Sequence, residues 1–149
     1  MNEPLDLEQF LPYRISVLTN RASRAFARLY EAKFDVKLPE WRVMAVLGRR
    51  PGITAREVTE MTAMDKVAIS RALHRLQAMG RVNAEEDEVD RRRLRLTLSD
   101  KGEEIYRQIV PLAWRIQADL LADLSEEERV VLDRLLNNLM RSAERIDRL

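Results

Sequence analysis

The hydrophobic period of this chain changes once and then changes back, and that double change limits what it can fold into. From about Phe10 to Leu76 apolar residues recur at steps of three and four, the spacing of a helix face. At Val82 the step falls to two. Val82 and Ala84 alternate with Asn83 and Glu85, and Leu94, Leu96 and Leu98 alternate with Arg93, Arg95 and Thr97. Side chains of a strand point to opposite faces in turn, so these runs read as two half-buried strands. Glu86-Asp87-Glu88-Val89-Asp90-Arg91 between them reads as a polar hairpin tip. After Ser99 the helical step returns. The expected fold is mainly α, with one small β-hairpin.

The helical part divides at its turn residues. A first helix is expected from near Leu11 to Phe34, because Pro12 fits only a first turn. Ile15, Leu18, Ala22, Ala25, Phe26 and Leu29 form its apolar stripe, and residues 1–9 form an arm. Residues 34–38 read as a connection. Pro39 and Glu40 suit the first turn of a second helix carrying Trp41, Met44, Ala45 and Leu47, which Gly48-Arg49-Arg50-Pro51-Gly52 should end. Thr54 and Glu57 form a capping box for a short helix to about Met61. After Thr62-Ala63-Met64 another helix opens at Asp65, with Val67, Ile69, Leu73 and Leu76 inward and Gly80 as a left-handed terminator. Two short helices so spaced suggest helix-turn-helix, and the hairpin after them makes a winged helix.

Two long helices should follow. Ser99 caps the first, with Ile105, Ile109, Leu112, Ile116 and Leu120 on one face and a kink at Pro111. Ser125 and Glu128 box the second, which carries Leu132, Leu135, Leu136, Leu139, Ala143, Ile146 and Leu149. That stripe is long for a helix resting on so small a lobe. The first and last helices are therefore expected to pack against a second subunit.

Composition removes several classes. There is no Cys, which excludes a disulfide framework, a thiolate nucleophile and a thiol redox sensor, and one His cannot build a multi-histidine metal site. No apolar run approaches the ~18–20 residues of a membrane span. Met1-Asn2-Glu3-Pro4 lacks the basic-then-apolar layout of a signal peptide, so the expectation is a soluble cytoplasmic protein. With 26 Lys+Arg against 25 Asp+Glu, any nucleic-acid footprint must lie in how the charge is distributed.

Several motifs, in this order and spacing, resemble the MarR-type winged-helix transcriptional regulators over about residues 10–145. They are Pro39-Glu40-Trp41-Arg42-Val43-Met44, Ile69-Ser70-Arg71-Ala72-Leu73, the Leu76-x-x-x-Gly80 helix end, Asp90-Arg91-Arg92, and Leu98-Ser99-Asp100-Lys101-Gly102, where the family usually has Leu-Thr-x-x-Gly. Leu38 departs from the family, which often has a capping Thr or Ser before the proline. The resemblance implies one MarR-like domain over residues 1–149. Its dimerisation helices would be 10–36 and 103–149, and its winged DNA-binding lobe 37–102. It also implies a homodimer on double-stranded DNA with a pseudo-palindromic operator.

Residue chemistry agrees. The N-terminal half of a recognition helix enters the major groove, which here offers Lys66, Val67, Ser70 and Arg71. Arg71 can pair with guanine through two hydrogen bonds, while Ser70 discriminates less. Arg75, one turn later, is expected at backbone phosphate or in solvent. His74 reads as a polar helix face, with a phosphate contact open. Arg91 and Arg92 at the wing suit a minor groove of negative potential. For Arg93 and Arg95 a solvated strand face stays equally open. Asp90 repels phosphate, so its expected role is to hold a wing arginine. Glu85, Glu86, Asp87 and Glu88 either face away from DNA or hold those arginines.

The family places its effector pocket near the second helix. Tyr13, Arg14, Trp41 and Arg42 are the candidate lining, although tryptophans are more often core. The resemblance favours an aromatic carboxylate or its thioester as effector, and a repressor released by it. The rival reading is a winged-helix dimer serving as a protein-interaction module. The basic wing and Ser70-Arg71 argue against that, since a protein interface favours apolar and aromatic anchors. No glycine-rich phosphate loop and no His with a nucleophile partner support an enzyme. No catalytic residue, cofactor or metal is expected.

Overall fold

A computed structural model describes residues 3–149. The first two residues of the expected N-terminal arm lie outside the described residues. The elements are α1 (Leu11–Phe34), α2 (Leu38–Arg49), α3 (Ala55–Thr62), α4 (Lys66–Ala78), β1 (Val82–Glu86), β2 (Leu94–Leu98), α5 (Asp100–Leu120) and α6 (Glu126–Asp147). They form two compact units that divide between Ala113 and Trp114.

In the first unit α2, α3 and α4 pack on one another, and the hairpin closes against α2, α3 and α4. The strands pair antiparallel, with Val82 opposite Leu98, Ala84 opposite Leu96 and Glu86 opposite Leu94. The α2–α3 loop adds a third, one-residue rung. Gly52 N donates to Leu96 O and Leu96 N donates to Ile53 O, both at 2.8 Å. Val43, Met44 and Leu47 from α2, Val58 from α3, Ile69 and Leu76 from α4 and Leu96 from β2 are buried together with Ile109 of α5. The expected alternation holds only in part. Val82 and Leu96 are buried and Leu98 is half-buried, whereas Ala84, on the rung of Leu96, and Leu94, on the outermost rung, are exposed. At Leu94 the projecting hairpin runs out of core to cover it.

Local chemistry sets the helix ends. Thr54 Oγ1 accepts from Glu57 N while Thr54 N donates to Glu57 Oε2. Asp65 Oδ1 accepts from Val67 N at 2.8 Å, which opens α4. Ser125 and Glu128 form the reciprocal pair at α6. At α2 the cap falls on Lys37, which has no acceptor. Only the returning half survives, with Lys37 N donating to Glu40 Oε2 at 2.9 Å. Gly80, at φ +69, turns the chain out of α4.

Two glycines act through close packing. Gly48 does not end α2, which runs on to Arg49. A Cβ there would fall 2.5 Å from the ring of Tyr106, so its absence lets α5 lay that ring on α2. A Cβ at Gly102 would fall 2.1 Å from Arg81 O, so only glycine lets the first turn of α5 cross the start of β1. Ser99 makes the same junction, donating to Gly80 O at 2.6 Å and accepting from Gly102 N at 3.1 Å.

The stripe of α1 is covered at one end only. Phe26 and Tyr30 are buried, while Ile15 and Leu18 are exposed. In the second unit no residue of α6 is buried, and Leu135, Leu136, Leu139 and Ile146 all lie open. No helix is long and apolar enough to cross a membrane among the described residues.

Candidate nucleic-acid interface

The outward side of α4 follows from its geometry. At 3.6 residues per turn, Val67, Ser70, Arg71 and His74 fall within an arc of about 100°. All four are exposed, and Ile69, Ala72, Leu73 and Leu76 on the other side are buried. Val67, read also as an inward residue from its spacing, is 54% exposed and belongs to the outward arc. Lys66 opens the helix and is exposed.

Arg75 lies on the flank of that arc, and the structure gives it other work than the expected phosphate contact. Its Nη1 donates to Glu40 Oε1 and Oε2 at 2.8 and 2.7 Å, and its Nη2 donates to Asp35 Oδ1 at 2.7 Å. Glu40 is 3% exposed. One carboxylate thus caps α2 and grips α4 at once. Its hydrogen bonds to Glu40 and then to Asp35 push the Arg75 pKa up, and the hydrogen bond from Arg75 holds the Asp35 carboxyl below its usual range.

Arg81 completes this junction, and sequence reasoning does not single it out. It is 5% exposed and donates to Asp35 O at 2.7 Å and Phe34 O at 2.6 Å. A guanidinium thereby covers carbonyls at the C-terminal, electronegative end of α1. Its Nε is buried without a partner, and burial pushes its pKa down. The carbonyls lie 46 and 47 residues away, so no local pattern marks the residue. The one sequence signal is an arginine directly after the terminating glycine.

The wing sorts its charges. Asp87 is 8% exposed; it accepts from Val89 N at 2.8 Å and Asp90 N at 3.3 Å, and its Oδ2 lies 2.8 Å from Arg95 Nη2. Those two amides, more than Arg95, hold its carboxyl below the usual range. Arg95 also donates to Gly52 O at 2.9 Å. The acidic run therefore splits. Asp87 builds the loop and holds an arginine, whereas Glu85, Glu86 and Glu88 are exposed. Asp90 works mainly through the backbone: its Oδ1 accepts from Arg92 N at 3.1 Å. Its oxygens stand 3.7 Å from Arg92 Nε and 3.6 Å from Arg93 Nε, beyond hydrogen-bond reach. Arg91 and Arg92 are both exposed, the Arg92 side chain at 96%.

The four effector candidates do not converge within one chain. Trp41 is 8% exposed and sits edge-on to Phe26, with ring centroids 5.7 Å apart, and stacked on Tyr106 at 5.9 Å. Tyr30 lies against the same cluster; its hydroxyl has no partner, and burial pushes its pKa up to about 12. Arg42 is half-buried beside it. Tyr13 and Arg14 are exposed in the first turn of α1, about 20 Å along the helix from Phe26 at 1.5 Å per residue. Among the described residues no cluster of His, Cys, Asp or Glu is arranged to hold a metal ion.

A capped helix-turn-helix with an outward recognition face and an arginine-tipped wing defines a winged-helix DNA-binding protein. A profile of the MarR family matches residues 34–93. The transcriptional regulator HosA of Escherichia coli O157:H7 is 28% identical over 106 residues, covering 71% of this chain and 78% of HosA. The crystal structure of a mutant E. coli MarR complexed with operator DNA superposes at TM-score 0.78 and 22% identity, over 92% of this chain and 99% of that one. Bordetella bronchiseptica BpsR, whose DNA binding is regulated by 6-hydroxynicotinic acid, superposes at TM-score 0.82 and 21% identity, over 93% and 98%. The chain is thus similar to the MarR family of winged-helix transcriptional regulators, with the family profile matching residues 34–93.

Proposed function

We propose that this regulator is a homodimeric repressor that binds a pseudo-palindromic operator and is released by a small aromatic acid. The observation that carries the DNA reading is the division of labour among its cations. Arg75, Arg81 and Arg95 are held by the scaffold, while Lys66, Arg71, Arg91 and Arg92 stand exposed on α4 and the wing. In this reading Lys66, Val67, Ser70 and Arg71 meet the major groove. Arg91 and Arg92 meet the adjacent minor groove, with Asp90 shaping the turn that carries them. Residues 37–102 are the DNA-binding lobe.

The dimer rests on apolar surface that one chain leaves open. Leu11, Ile15 and Leu18 of α1, and Leu135, Leu136 and Leu139 of α6, are each at least 39% exposed. Segments 10–36 and 103–149 are therefore assigned to dimerisation. The ligand reading rests on Arg42, half-buried on α2 directly after Trp41, because a guanidinium suits the carboxylate of an aromatic acid. BpsR, which answers to 6-hydroxynicotinic acid, supports that class. Such a ligand releases DNA only by binding the non-DNA-binding arrangement better.

The two-fold symmetry of a dimer demands half-sites about one helical turn, ~10 base pairs, apart. The test is binding to a duplex that the protein itself selects from a randomised library, with and without five base pairs inserted between the half-sites. Loss of tight binding on insertion supports docking as a dimer. Unchanged affinity overturns it.

A further inference from the structure

His74 is the single histidine of the chain, and it sits in the middle of the outward arc of α4, between the angular positions of Ser70 and Arg71. It is exposed, and no hydrogen bond or ion pair engages its side chain among the described residues. The neighbouring cation in sequence, Arg75, is turned to the flank and gripped by Glu40 and Asp35. The residue that continues the groove-facing line beyond Arg71 is therefore the histidine and not the arginine beside it.

Its depth along the helix says what it meets. His74 is eight residues from Lys66, about 12 Å along the axis. That is comparable to the ~12 Å width of the major groove and exceeds its ~8.5 Å depth. With the N-terminal end of α4 at the base edges, a residue so far along lies level with the phosphate wall. We propose that His74 is a phosphate-contacting residue of the recognition helix, so that DNA affinity is linked to protonation of its imidazole. This rests on the docking of α4 given above.

The electrostatic surroundings allow the link. On its own helix His74 is flanked by Ser70, Arg71, Arg75 and Ala78, which include no acid. The elements packed on α4 carry Glu40, held by Arg75, Glu57, held by Thr54 N, and Glu60, paired with Arg56, together with the cations Arg42 and Arg49. Glu85 and Glu86 of β1 are exposed on the hairpin. The partner left for a charged imidazole is the DNA itself. A phosphate favours the protonated form, so binding takes up a proton. The added affinity is therefore present at the acid end of the range and is lost as pH rises.

The experiment measures fluorescence anisotropy with the self-selected duplex and with an unrelated duplex of equal length, at pH 5.8 and 8.0 over a salt series. The parent should bind both duplexes about two- to fivefold tighter at the lower pH, the range of an exposed ion pair. Its salt slope should be steeper there by up to about 0.9 per charged contact. His74→Gln should stay flat with pH and lack the steeper salt slope at pH 5.8. His74→Lys should be tight and steep at both. A His74→Gln variant that keeps the parent's pH dependence overturns the proposal, as does a parent that selects a duplex yet binds it equally at both pH values. In those cases the docking of α4 stands. If no duplex is retained from the library, the DNA reading falls and the proposal with it.

Discussion

Arg75 Nη1 reaches both oxygens of the buried Glu40 carboxylate, at 2.8 and 2.7 Å, and this contact ties the recognition helix to the first turn of α2. Removing the arginine leaves a buried carboxylate with only the Lys37 amide. Arg75→Ala should lower the melting temperature and weaken operator binding, because α4 loses its anchor on the α1–α2 junction. The slope of binding against salt should stay that of the parent, since no phosphate contact is lost. A slope reduced by about one unit would mean that Arg75 leaves Glu40 for the DNA backbone. Arg75→Gln combined with Glu40→Gln should recover much of the stability, because the pair no longer buries an unmatched charge.

The contact of Gly102 with Arg81 O makes a second expectation. Alanine there must push apart two pieces of backbone, since the Cβ would stand 2.1 Å from a carbonyl oxygen. Gly102→Ala should cost about 1–3 kcal/mol or more, the range of overpacking without a yielding side chain. Gly48→Ala should cost less, because its obstruction is the Tyr106 ring, which can swing aside. Thermal denaturation of both variants ranks them; equal losses would refute the distinction between backbone and side-chain obstruction.

What could be read in advance was local. The capping pairs at Thr54 and Ser125, the proline at the head of α1 and the period-two runs each act within a few residues, so they show in the sequence. The winged helix and its outward residues followed from them. The junction did not. Arg81 and Arg75 find partners 35 to 47 residues away, and nothing near either residue says so. Asp87 was legible only as one acid among four, because its burial depends on how the hairpin folds back over Gly52 and Arg95. Gly48 looked like a terminator because glycine ends many helices; here it is an absence of side chain that Tyr106 fills.

Acid should act on the wing through Asp87. Its folded-state pKa lies below the ordinary aspartate value because Val89 N, Asp90 N and then Arg95 stabilise the carboxylate. The stabilisation is therefore present above the unfolded pKa, near 3.9, and is lost as pH falls through the lower folded value. Melting temperature should hold at pH 5–7 and drop below about pH 4, with Asp35 adding to the same limb. Asp87→Asn keeps an acceptor for the two amides but loses the ion pair with Arg95. It should flatten the acid limb and weaken operator binding at pH 7 by loosening the loop that carries Arg91 and Arg92. An acid limb superimposable on the parent's would remove Asp87 from this role.

Ligand binding should separate the four residues that the sequence grouped. Trp41 is packed among Phe26, Tyr30 and Tyr106, so Trp41→Ala should cost about 3–5 kcal/mol of stability whatever its effect on ligand. Trp41→Phe keeps the ring contact and is the variant to titrate. Arg42→Ala should weaken hydroxybenzoates with little loss of stability. Tyr13→Ala and Arg14→Ala, about 20 Å along α1, should leave binding unchanged in any site built from one chain. Isothermal titration calorimetry follows the titrations in Trp41→Phe. Weakening by Arg14→Ala with none by Arg42→Ala would move the site to the far end of α1.

Arg71 and Arg92 should fail in different ways, because one stands on the outward face of α4 and the other at the tip of the wing. Arg71→Ala removes a reader of base edges. It should cost about 1–3 kcal/mol on the selected duplex and relax preference at one position of each half-site. On an unrelated duplex it should cost little. Arg92→Ala removes a minor-groove and phosphate contact. It should weaken binding to both duplexes alike and reduce the salt slope by up to about one unit per lost contact. Neither residue is held by the core, so both variants should melt with the parent, which separates a lost contact from a damaged fold. Selection repeated with each variant gives the decisive reading. Arg71→Ala should return a more degenerate set of sequences, while Arg92→Ala should return the parent's half-sites at lower affinity. If Arg92→Ala changes the selected bases and Arg71→Ala does not, the roles of helix and wing are reversed. If neither variant changes affinity or selection, these are not the surfaces that meet DNA.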